Sequence, residues 1–103
     1  MGAAGKKGIV GDADRAARVA EVLKAVAHPL RIRVVAALCD KASSVTQLCE
    51  RLDVRQALLS QHLSVLRLTG LVSVERSNGC ATYSIKEEGL RDLVACVTRC
   101  GKR

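Results

Sequence analysis

Side chains able to hydrogen-bond a polyanion lie among leucines between Arg55 and Arg67, among them Arg55, Gln56, Ser60, Gln61, His62 and Arg67. Guanidinium groups suit phosphate oxygens, and amide, hydroxyl and imidazole groups suit base edges. The other chemically active atoms are sulfurs. Of five cysteines, Cys39, Cys96 and Cys100 are the candidates for holding a soft ion or for thiol chemistry. Cys96 and Cys100 are four residues apart. On one helix their Cβ atoms would stand about 5–6 Å apart. A disulfide wants about 3.5–4.5 Å, so direct bonding would strain the helix. Two thiolates on one soft, thiophilic ion, at bonds of about 2.3 Å, fit that gap. The plainer alternative makes both cysteines small apolar fillers beside Leu93 and Val97. Cys49 reads as a small apolar residue under a helix, and Cys80 as an exposed residue at a hairpin tip.

The segment Ser44–Arg67 must position the polar set. Val45, Leu48, Cys49 and Leu52 recur on one helical face, and Leu58, Leu59, Leu63 and Leu66 repeat the pattern after a break at Leu52-Asp53-Val54. Helices this short do not persist alone in water. Two of them crossing at a tight turn over a shared core do, as a helix-turn-helix whose second helix enters the major groove of DNA.

The 103 residues fit one domain, and a chain this small often gains core by dimerising. With one Tyr and no Phe or Trp, the core must come from Leu, Val, Ala and Ile. Scarce aromatics also argue against single-stranded DNA or RNA, which is held by base stacking. The net charge of +7 favours a polyanion, which leaves double-stranded DNA. No signal peptide and no apolar run of roughly 18 residues is visible, so no membrane role and a cytoplasmic location are expected. In that compartment the cysteines are expected to be thiols, not disulfides.

Residues 1–11 read as a flexible tail with Lys6 and Lys7. Asp12 caps a first helix from Ala13, whose Ala16, Val19, Ala20, Leu23, Val26 and Ala27 form an apolar stripe. Pro29 ends it and opens a second helix over 30–39, with Leu30, Val34, Val35 and Leu38 inward and Arg31 and Arg33 outward. Residues 40–43 read as a loop. Ser44 and Gln47 form a capping box for the third helix, and Asp53 suits the left-handed backbone of the break. Gly70 stops the fourth helix. The period then changes to two, and Ser77-Asn78-Gly79 marks a hairpin whose tip, with Arg76 and Asn78, forms a wing against DNA. Residues 87–100 are helical again, followed by the basic tail 101–103. The predicted fold is mainly α with a β-hairpin: four helices, a two-stranded wing and a C-terminal helix, with residues 12–100 as the domain. The first and last helices carry surplus apolar surface, so they are expected to pair with a second copy. A two-fold dimer sets its recognition helices roughly 34–36 Å apart and reads an inverted repeat.

Three stretches carry a family resemblance: AHPLRIRVVAAL (27–38), VTQLCERLDVRQALLSQHLSVLRLTGLV (45–72) and RSNGCATYSI (76–85). They resemble the ArsR/SmtB family of bacterial winged-helix repressors, from about Ala20 to Ile85. The resemblance implies a homodimer that represses an operator by default. It is released by an inducer: a metal or metalloid ion, an oxidant or a sulfur species. The family's usual turn Gly and helix-capping Ser or Thr are replaced by Asp53 and Arg55. Arg55 is read as a phosphate contact. The family's zinc site on the last helix needs histidines that this helix lacks. Its Cys-Val-Cys arsenic motif is replaced at Ser44 and Thr46.

Two sensing chemistries therefore stay open. In one, Cys96 and Cys100, joined by Cys39, hold a soft ion such as trivalent arsenic. In the other, Cys39 is oxidised or persulfidated and links to Cys96 or Cys100, although the redox-responsive members carry that cysteine near Ala36. No obligatory cofactor is expected. Two other classes were weighed. A protein-interaction module would bind DNA weakly and without salt dependence. A thiol enzyme would need a Cys-x-x-Cys or Cys–His motif, and neither is present.

Overall fold

The structure, a computed structural model, describes residues 8–100. Of the expected tails, residues 1–7 and 101–103 lie outside the described residues. Helix α1 spans Ala13–Val26, and the Asp12 side chain accepts the Arg15 N–H at 3.0 Å. Helix α2 spans Pro29–Asp40 and is capped by His28, whose Nδ1 accepts the Leu30 N–H at 3.0 Å. Strand β1 is Ser43–Ser44, and helix α3 is Val45–Leu52. The capping box at its start is complete, with reciprocal bonds between Ser44 and Gln47 at 2.8 and 3.1 Å.

Helix α4 spans Gln56–Leu68. It stops at Gly70, whose φ of +83° is costly for any residue with a Cβ. There the Leu71 N–H reaches the Leu66 carbonyl and the Gly70 N–H the Arg67 carbonyl, which closes a Schellman motif. The chain then turns directly into β2 (Val72–Ser77) and β3 (Cys80–Ile85). Asn78 and Gly79, at φ 53° and 78°, supply the paired left-handed residues of a type I′ hairpin turn. Helix α5 is Gly89–Cys100 and begins two residues later than its apolar pattern suggests.

Two expectations need correction. The sheet has three strands in the order β1-β3-β2, not two, because Ser43 and Ser44 pair with Tyr83 and Thr82. Residues 40–43 are thus not wholly loop: Asp40 closes α2, and Ser43 is fully buried. Arg51 covers that junction, donating to the Ala37 carbonyl and the Ser43 hydroxyl while pairing with Asp40 at 3.3 Å. Arg31 is also not simply outward. It is half-buried, with its Nε wholly enclosed.

The core is aliphatic, as the composition required. Val34, Val35 and Leu38 of α2 meet Leu48 of α3, then Leu59, Leu63 and Leu66 of α4; Leu71, Val72 and Leu90 close it. Burying one such Leu stabilises the fold by about 1.5–3 kcal/mol. Helix α1 adds only Ala25 to the buried set, which leaves most of its apolar stripe uncovered.

Candidate nucleic-acid interface

The recognition element is set by its turn. Asp53 takes φ 55°, ψ 55°, and its N–H and that of Val54 both reach the Cys49 carbonyl. Arg33 donates to the Leu52 carbonyl at 2.8 Å and so satisfies the C-terminal end of α3. Helix α4 then lies with Leu59, Leu63 and Leu66 fully buried, which turns Gln56, Ser60, Gln61 and Arg67 to solvent. Arg55 occupies the N-cap position, makes no side-chain cap and is exposed. The amide N–H groups that start α4 therefore remain open beside a cation, which suits a phosphate. Arg76 and Asn78 are exposed at the end of the wing. Ser64, one helical turn beyond Ser60, is exposed as well, and its i, i+4 spacing from Ser60 places it on the same face.

His62 departs from the expectation. Its ring is turned toward α2, 4.3 Å from that of His28, and its Nδ1 is enclosed without a hydrogen-bond partner. Burial, with the neighbouring His28 and Arg31, holds its pKa below the ordinary histidine value. A ring in that position packs against the scaffold and does not face a groove.

The cysteines separate into two groups. Cys39 is half-buried near the end of α2, and its carbonyl accepts from the Arg91 guanidinium at 2.6 Å. Cys96 and Cys100 are exposed, five and nine residues farther along α5, or about 7.5 and 13.5 Å along its axis. Among the described residues, no three His, Cys, Asp or Glu side chains come together as an ion site. The expected trio of Cys39, Cys96 and Cys100 is therefore not assembled within one chain. Burial pushes the Cys39 thiol above its usual pKa, Arg91 offsets this in part, and Asp40 and Glu88 add to it. Cys49 packs against the core, while Cys80 is exposed beside the hairpin turn.

Residues 28–74, which span α2 to the start of β2, match the family model described as bacterial regulatory protein, arsR family. Over 80 residues the chain is 39% identical to the biofilm growth-associated repressor of Agrobacterium fabrum, covering 78% of this chain and 68% of that protein. This chain belongs to the ArsR/SmtB family. Among other ArsR relatives, the repressor SmtB of Mycobacterium tuberculosis is 38% identical over 72% of this chain, and the match spans about half, 55%, of SmtB. The fold agrees with solved ArsR-type structures. The repressor BigR of Xylella fastidiosa superposes with a TM-score of 0.82 at 32% identity, covering 87% of this chain and 92% of BigR. HlyU of Vibrio cholerae gives 0.78 at 30% identity, covering 84% and 95%. Regulators of the ArsR family bind DNA operators and typically act as dimers, and these relatives are regulators, not enzymes. No helix among the described residues is long and apolar enough to cross a membrane.

Proposed function

We propose that this regulator is a homodimeric repressor that holds an inverted-repeat operator in double-stranded DNA and releases it when thiols on α5 take up an inducer. The observation that carries the reading is the division of α4 into a buried leucine stripe and an exposed face of Gln56, Ser60 and Gln61. Gln56 and Gln61 offer the donor–acceptor pair that reads adenine, while Arg55, Arg67 and Arg76 hold phosphates. Dimerisation is supported by exposed apolar residues on the two outer helices: Val19 at 38%, Leu23 at 47% and Val97 at 41%. The sign of regulation follows the relatives named as repressors, although HlyU is named an activator.

The inducer site is Cys96 with Cys100, both exposed one turn apart on α5. A soft ion such as trivalent arsenic bridges them, with further sulfur from the second protomer. An oxidant or persulfide is the second reading, favoured by the accessibility of both thiols. One solved relative is itself described as reduced HlyU. The test measures operator affinity of the reduced protein during separate titration with arsenite, Zn, Cd, a persulfide donor and peroxide. Release by arsenite or Cd with a sulfur-to-metal absorption band supports the ion. Release by persulfide or peroxide with a mass change and no ion supports the redox reading.

A further inference from the structure

One polar cluster is used neither by DNA contact nor by thiol sensing, and it lies beneath α4. The His28 and His62 rings stand 4.3 Å apart at 41°, joining the N-terminal end of α2 to the middle of the recognition helix. His28 Nδ1 accepts the Leu30 N–H, so this nitrogen must be unprotonated for α2 to keep its cap. His62 Nδ1 and Arg31 Nε are both enclosed with no hydrogen-bond partner among the described residues. The groups acting on the His62 ring are His28, the cap of α2, and Arg31 in its first turn, and no carboxylate is among them. Glu21 and Lys24 of α1 face the far end of α4, near Val65 and Leu68. Arg33 is committed to the Leu52 carbonyl at the end of α3. Of the charges on α4 itself, Arg55 and Arg67 are exposed to solvent.

We propose that His28, Arg31 and His62 form a seat for the recognition helix that is competent only while the His62 imidazole is neutral, so that acidification releases DNA. His62 is thereby a positioning residue and not a reader of bases. This rests on the DNA-binding reading above and assigns that site a proton-sensitive control. A proton on His62 places a third positive group against His28 and Arg31 in a partly desolvated gap with no counter-charge. That repulsion pushes α4 away from α2, and the side chains reading the groove move with it.

The sign separates this proposal from direct contact. A histidine facing phosphate gains attraction when protonated, so affinity would rise in acid. The seat requires affinity to fall. The chain has only two histidines, so loss of the profile between about pH 5.5 and 7.5 in His62→Gln assigns it to His62.

The experiment uses the full chain and a duplex selected from a random library at pH 7.5. Affinity is measured at both ends of the range, at fixed salt, for the parent and for His62→Gln and His28→Asn. The parent is expected to lose affinity several-fold on acidification, with about tenfold as the ceiling because the free-protein pKa of His62 lies below about 6.5, within one unit of pH 5.5. In His62→Gln the ratio between the two pH values approaches one. Without DNA, amide exchange at Leu63 and Leu66, corrected for intrinsic rate, is expected to quicken in acid in the parent and not in His62→Gln. Affinity that is flat or rises in acid, or a His62→Gln variant that falls as the parent does, overturns the proposal. If no duplex is selected at pH 7.5, the DNA-binding reading fails, and amide exchange alone decides the seat.

Discussion

Arg55 stands where a helix ordinarily carries an oxygen-bearing cap, and it makes no cap bond. The trade is stability for a cation at the DNA face. Arg55→Ser is expected to raise stability by about 0.5–2 kcal/mol and to flatten the salt dependence of DNA binding by about one phosphate contact. Denaturant unfolding and a salt series of affinities check the two halves separately. The thiols divide by burial in the same way. Cys39, with its pKa raised by burial, is expected to alkylate after Cys96 and Cys100. Cys96→Ser or Cys100→Ser should abolish the response to inducer, whereas Cys39→Ser should keep it; operator-release titrations decide. His62 also sets a pH dependence of folding. Its folded-state pKa lies below the ordinary value of about 6.5, so its share of stability is complete above that pH. That share is lost as the pH falls from there through the folded-state value. Unfolding at pH 7.5 and 5.5 should show the loss in the parent and not in His62→Gln.

At the scale of elements, α4 depends on its buried stripe. Leu59→Ala is expected to cost about 2–5 kcal/mol, read as a drop in the denaturant midpoint. Ser44→Ala removes the capping box and should cost about 0.5–2 kcal/mol. These two elements were legible in the sequence, because leucine spacing, the Ser–Gln box and the Asn-Gly turn each act over a few neighbouring residues. The first strand was not legible. Ser43 and Ser44 carry no apolar alternation, and they extend only because β3 offers them backbone partners. The exposure of the polar face of α4 was legible where it follows from helical periodicity alone, as for Gln56, Ser60 and Gln61. It was not legible at His62, whose ring meets that of His28, the cap of α2, from a distant part of the chain.

The whole molecule is organised around a face that one chain leaves open. Leu23 and Val97 are exposed on α1 and α5, and a charge there would disfavour burial against a second copy. Leu23→Glu or Val97→Glu is expected to sediment as a monomer and to lose operator affinity, since one recognition helix then binds alone. By itself the sequence determined the helices, their caps, the hairpin turn and the basic, leucine-cored character of the domain. All of these arise from residues close along the chain. Only the tertiary structure decided that His62 meets His28, that Ser43–Ser44 joins the wing and that Cys39 stands apart from Cys96 and Cys100. The residues involved are far apart in sequence, and whether they meet depends on how the helices pack.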